Sequence, residues 1–222
     1  MILREILLLL SKEIRLEWRR KYAFNGILLY LVATIFVAYL SFNLRKTQLS
    51  SLTWNALFWI ILLFAAISAV AKSFAQESEN RHYYYYQLAR PESMILSKMI
   101  YNSLLLCFLA LLGLLLYMIL LGNPVQDMPF FIASVILGSG GLATSLTLIS
   151  AIAAKAQHTG TLMATLGFPV VLPLVLLLIK VSKNAIDGIA RSQSYDELIT
   201  LVAINLIALV VSLLLFPFVW RS

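Results

Sequence analysis

Hydrophobic residues in this chain fall into long unbroken stretches, not the short alternations of a soluble fold. Six stretches carry no charged side chain: Tyr22 to Leu44, Thr47 to Ala71, Met99 to Gln126, Met128 to Ala154, Ala156 to Ile179 and Leu198 to Trp220. Each exceeds the roughly 20 residues a helix needs to cross a bilayer. They are apolar on every face, with none of the period-two alternation of a membrane barrel, so helices are the spanning element. The pattern predicts spans at about 22–44, 50–71, 99–121, 129–154, 161–181 and 198–220. No segment outside them is long enough to bury a core, which leaves one all-α integral membrane domain over 1–222.

The first 21 residues follow a different rhythm. Leu3, Ile6, Leu7, Leu10, Ile14 and Trp18 recur at spacings of three and four, while Arg4, Glu5, Lys12, Glu13, Arg15 and Arg19 supply charge elsewhere. This is an amphipathic interfacial helix, either an anchor for the first span or an elbow that braces a moving bundle. No small-residue cleavage site follows Met1 to Leu10, so the start is expected to be retained.

Composition supports the membrane reading: 61% of the 222 residues are hydrophobic and 12% charged, against roughly 45–50% and 25% in soluble domains. The net charge of +7 could suggest nucleic acid. The basic residues instead adjoin the apolar runs and form no stripe with interleaved aromatics, so nucleic acid is excluded and orientation explains them. With a cytoplasmic N-terminus, twelve lysines and arginines fall on the inner side (Arg4, Lys12, Arg15, Arg19, Arg20, Lys21, Lys72, Arg81, Arg90, Lys98, Lys155, Arg221). Five fall outside (Arg45, Lys46, Lys180, Lys183, Arg191). Six spans then return the C-terminus to the cytoplasm, with Trp18, Tyr22, Trp54, Tyr117 and Trp220 near span ends as interfacial anchors.

The longest inner connection, Lys72 to Lys98, holds Glu77, Glu79, Glu92, the run Tyr83 to Tyr86 and a helix-ending Arg90-Pro91. It reads either as a solvated hairpin with tyrosines at headgroup level or as a docking segment for a cytoplasmic partner. Two short helices meeting at a turn are expected around Pro91. Span four is rich in small residues, with Gly138, Gly140 and Gly141 at its centre, which points to close helix packing. Span five contains Gly167, Pro169 and Pro173; two prolines four residues apart predict a kinked or interrupted helix.

Missing motifs narrow the chemistry. There is no GxxxxGK[ST] loop, so ATP power must come from another chain, and neither HExxH nor GxSxG is present. The six runs contain no Asp or Glu, which argues against an acid relay. The single Cys107 makes no disulfide framework and no thiolate metal cluster. A secondary transporter would repeat its broken helix in both halves, yet span two has neither Gly nor Pro. No enzyme activity is expected.

The residues resemble the family of cytochrome c maturation protein B, also called haem exporter protein B, over essentially the whole chain. The similarity is carried by the size and six spans, by Lys12-Glu13-Ile14-Arg15-Leu16-Glu17-Trp18-Arg19, and by Phe74 to Lys98 with Glu77, Glu79, Leu88, Pro91 and Lys98. Its most specific block is Ser150 to Leu176, with its basic residue, glycine and paired prolines. Where many members have an Asp-Gly-Ser/Thr-Leu-Glu run, this chain has Asn80-Arg81-His82-Tyr83-Tyr84. The resemblance implies an ABC exporter permease-like fold and a subunit of the bacterial cytoplasmic (inner) membrane. It also implies two permease copies per complex, a cytoplasmic ABC ATPase, a haem-handling membrane protein and a periplasmic haem chaperone. Under it Glu77, Glu79, Arg81, Arg90 and Pro91 are candidate ATPase contacts, and Gly167, Pro169 and Pro173 are conformational elements. Haem would be the exported or handled ligand, or the ATP cycle would release the haem-loaded chaperone. This chain would bind no cofactor itself, because its only histidines, His82 and His158, fall on the inner side. A non-transporting membrane scaffold and a secondary transporter of another substrate are the alternatives.

Overall fold

The computed structural model describes residues 2–20, 22–45, 49–71, 74, 90–154 and 159–221. Among them are seven α-helices: α1 (Ile2–Arg20), α2 (Tyr22–Arg45), α3 (Ser51–Val70), α4 (Pro91–Leu121), α5 (Met128–Ala154), α6 (Thr159–Ile186) and α7 (Tyr195–Arg221). A 3-10 turn, Arg191–Ser194, leads into α7. Six helices of the described residues are long and apolar enough to cross a membrane, and α1 is the elbow that precedes them. The chain is an all-α multi-pass membrane protein.

One boundary differs from the sequence expectation, and one of the two alternatives for the fifth span closes. The third span's helix starts at Pro91 instead of Met99, because Pro91 sits at the first helical position where its missing N–H costs nothing, and Lys98 lies inside the helix. The fifth is not interrupted: α6 runs through Pro169 and Pro173 to Ile186. Membrane helices tolerate such residues when the freed carbonyls find other partners.

Helix α5 is the centre of the bundle, packed against α3, α4, α6 and α7. Its small side chains let the neighbours come close. The hydroxyls of Ser134, Ser139 and Thr144 donate to the carbonyls of Phe130, Val135 and Gly140 at 2.9, 2.7 and 3.0 Å, so their polarity is absorbed within the helix. The outer helices invert the soluble pattern. Leu29, Phe36 and Val37 of α2 and Leu206, Ile207, Leu214 and Phe218 of α7 are exposed, as a hydrocarbon solvent requires.

Polar ties cross the core. Asn55 Nδ2 donates to Ile179 O, and the Ser182 hydroxyl donates to Asn55 Oδ1 while accepting from Trp59 Nε1, each at 2.8 Å. Asn102 Nδ2 donates to Thr147 Oγ1 at 2.8 Å, and Ser150 Oγ donates to Val70 O at 3.1 Å. Asn205 Nδ2 donates to Leu137 O at 3.0 Å. Each such bond contributes about 0.6 kcal/mol within a membrane bundle, so they fix register more than they supply stability.

The end of the bundle opposite α1 is closed by Asp127. Its carboxylate accepts from Arg191 Nε and Nη2 at 2.6 and 2.8 Å and from Phe130 N at 3.2 Å, capping α5, while its own N–H donates to Ala185 O. The guanidinium bonded to it holds the Asp127 carboxyl below the usual carboxylate range. Gly188 takes φ +67° beside Gln126, whose Oε1 would stand 2.2 Å from an added Cβ, so the turn before α7 needs glycine.

Candidate functional site

The end of the bundle that carries α1 concentrates charge, buried aromatics and an exposed helix start. Arg90 is extended (φ −73°, ψ 140°), as the residue before proline must be, and Pro91 then opens α4. The backbone N–H of Arg90 donates to Glu5 Oε1 of α1 at 2.7 Å, which places a carboxylate at the positive end of α4. Two turns on, Lys98 Nζ meets Glu13 Oε1 at 3.3 Å, and Lys12 meets the same oxygen at 3.3 Å. Lys98 is 0% exposed, and its ammonium lies 4.7 Å from the centre of the Phe74 ring. Phe74, Met94, Ile95, Met99, Ala151, Phe216 and Trp220 form a second hydrophobic cluster, separate from the main core, with Leu9 packed against it. This cluster ties the head of α4 to the ends of α5 and α7.

Of the expected apolar stripe on α1, only Ile6 is buried and Leu10 is half-buried; Leu3, Leu7 and Ile14 face outward. The reason is that Glu5 and Glu13 are drawn onto α4 by their partners, which turns the stripe away from it. Arg4 and Arg15 are exposed on the outward side as well. Apolar residues flanked by arginine on one side suit a lipid headgroup layer. Trp18 lies outside the residues whose side chains are described.

The other expected site residues divide. Glu77, Glu79 and Arg81 lie outside the described residues, as do His82 and His158. Arg90 is exposed and Pro91 half-buried, at the head of α4. Gly167 is buried on α6, whereas Pro169 and Pro173 are exposed, away from the core. The three glycines of α5 are not equivalent. An added Cβ at Gly138 would stand 2.6 Å from Trp59 Cη2 and 2.7 Å from Leu178 Cδ2, and at Gly141 it would stand 2.2 Å from Asn205 Oδ1. At Gly140 it would meet nothing within 4 Å. The site reading missed Glu5 and Glu13, whose partners lie far along the chain, and Lys98, which looks from sequence like a membrane edge. It also missed Asn55, Asn102 and Asn205, although an asparagine inside an apolar run is itself a signal.

A void lined by Leu31, Ile35, Phe58, Ala110, Gly113 and Tyr117 measures about 10 Å³, room for at most one water. At the end opposite α1, a cavity of about 660 Å³ opens between α2, α3 and α4, lined by Tyr39, Phe42, Asn43, Trp54 and Leu120 among others. Trp54 is held in its wall by a 3.2 Å bond from Nε1 to Gly122 O.

No curated protein and no solved structure shows significant similarity to the chain. Residues 4–221, essentially its whole length, match the family model described as CcmB protein. With six membrane-crossing helices and an N-terminal elbow, the chain belongs to the CcmB family, the haem exporter permease subunit of cytochrome c biogenesis in an ABC-type transport system.

Proposed function

We propose that this chain is the membrane half of an ATP-driven machine in the bacterial inner membrane, with both termini cytoplasmic and two copies per complex. A separate ATPase docks at the α1 end, against the segment Glu77 to Pro91, and its cycle drives haem export or release of a haem-loaded chaperone on the other side. The observation that carries this reading is the head of α4. The helix extends eight residues beyond the uncharged run, begins at an exposed Arg90-Pro91 turn and is braced by α1. Sidedness rests on the twelve-to-five basic bias. The absence of a phosphate-binding loop puts hydrolysis in the partner.

A second reading, in which the chain passes motion to neighbours without conducting haem itself, draws on the close packing between α2, α3 and α4 among the described residues. The roughly 10 Å³ void is far too small for a macrocycle, and the larger cavity lies at one end. Haem contacts then come from the haem-handling membrane partner and the chaperone.

Reversing Glu77 and Glu79 to lysine together with Arg90→Glu should weaken ATPase association about tenfold while leaving membrane insertion intact. Copurification in mild detergent and the yield of c-type cytochrome are the readouts; an unchanged ATPase yield would overturn the docking site. Single cysteines at Arg90 and Ser192, both exposed and at opposite ends, should label from opposite sides of intact cells.

Pro169 and Pro173 are proposed as conformational elements of α6. Replacing both with alanine restores two backbone donors and should raise stability by on the order of 1 kcal/mol or more, while lowering cytochrome yield because a stiffer helix resists the working cycle. Lower stability with full yield would reduce the prolines to packing.

A further inference from the structure

Two electrostatic contacts join α1 to α4 at one sequence offset. Glu5 takes the N–H of Arg90 and Glu13 takes the ammonium of Lys98, each pair 85 residues apart. A constant offset over two turns, roughly 12 Å of helix, means that α1 and the head of α4 run side by side in the same direction. The alignment continues into α2, where the Phe24 ring lies 6.2 Å from that of Phe108 and Leu31 packs against Gly113.

The two kinds of contact along this seam resist different motions. Leu9 packs against the cluster that contains Met94, Ile95 and Met99 by non-directional dispersion, which holds the helices together but allows one to slide along the other. The Glu13–Lys98 pair does not allow sliding. A one-residue slip carries the carboxylate off an ammonium that is wholly buried and lies over the Phe74 ring. Register fixing is the best-attested role of buried charged groups.

We infer that Glu13 and Lys98, backed by Glu5, form a register lock that makes α1 and the head of α4 one lever, and that the two are positioning residues for the coupling step. A push at the Arg90-Pro91 turn then moves α1 axially along with α4 and passes into α2, instead of being lost as slip between the helices. This inference rests on the docking of the ATPase at that turn.

The test uses the full complex, in a Cys107→Ser background, with spin labels at the exposed positions Leu3 and Ile100. The Leu3–Ile100 separation should stay constant between the nucleotide-free and the ATP-trapped complex, and a measurable change in it would overturn the lock. The apolar pair Glu13→Leu/Lys98→Met keeps the helices together but removes the register. That variant should assemble with the ATPase and hydrolyse ATP at the wild-type rate, while cytochrome yield falls by roughly 5–150-fold, the range of ordinary coupling energies. Full yield from an assembled Glu13→Leu/Lys98→Met complex would overturn the proposal. If that variant does not assemble, the charge swap Glu13→Lys/Lys98→Glu decides: yield above that of either single reversal supports the lock, and no recovery overturns it. Absence of the ATPase from the wild-type complex would fell the docking reading and this one with it, whereas an ATPase present alongside a changing Leu3–Ile100 distance fells the lock alone.

Discussion

Alanine at position 138 should destabilise the bundle by about 1–3 kcal/mol, the cost of overpacking a filled site, while alanine at 140 should be neutral or stabilising by up to about 1 kcal/mol. The two glycines sit two residues apart on one helix, so propensity acts alike on both and packing decides. A methyl at 138 drives into the Trp59 ring, which is 0% exposed and cannot swing aside because its Nε1 is bonded to Ser182, itself bonded to Asn55. At 140 the methyl meets open space. Gly141 falls between them. Its added carbon meets the end of the Asn205 side chain, which is movable only by giving up the 3.0 Å bond to Leu137 O. Thermal unfolding of the purified protein in one detergent ranks the three. Equal gains at 138 and 140 would show that the stripe acts through helix propensity alone. The cost at 138 should also shrink in a Trp59→Phe background, since the clashing ring atoms are then gone and the two effects share one space.

The six spans were legible because a bilayer imposes the simplest of patterns, some twenty apolar residues without charge. Their ends were less so, and Lys98 shows why. A lysine beside an apolar run reads as the membrane edge, but here it is buried because its counterion, Glu13, arrives from a helix 85 residues earlier. Nothing local announces such a pair. Pro169 and Pro173 were visible as a perturbation of α6; of a kink and an interruption, the structure closes the interruption, and both residues are exposed. The small-residue stripe was visible in the sequence, but which glycine touches a neighbour depends on where Trp59 and Asn205 approach from other helices.

The candidate site was legible in outline. Arg90-Pro91 marks the start of a helix by local backbone chemistry alone, and the structure places the turn at the exposed head of α4. The role of α1 was open between anchor and brace, and its two faces suit both. The helix turns Glu5, Ile6, Leu9 and Glu13 inward, a face that period counting on apolar residues does not select because two of the four are acids. The outward Leu3, Leu7 and Ile14 remain for the lipid, so one short helix serves two neighbours.

Lys98→Ala should be among the most destabilising single substitutions in the chain, costing about 3–5 kcal/mol. The truncation removes the ammonium that neutralises Glu13, whose side chain is only 14% exposed, and opens a void beneath the Phe74 ring. Lys12 stays within 3.3 Å of the same carboxylate, which moves the expected loss toward the lower end of that range. The companion Glu13→Leu/Lys98→Met should recover most of the loss, because an apolar pair of similar volume needs no desolvated charges at the two positions, and Lys12, whose side chain is 22% exposed, exchanges Glu13 for water. Denaturant-induced unfolding in detergent measures both. If Lys98→Ala cost less than about 1 kcal/mol, the range for an exposed surface pair, then Glu13 would be finding water easily and the seam between α1 and α4 would be open to solvent. A large loss for Lys98→Ala with recovery in the apolar double variant would show that the cost lies in stranding a buried charge, and it would leave the ion pair to be explained by the register it imposes.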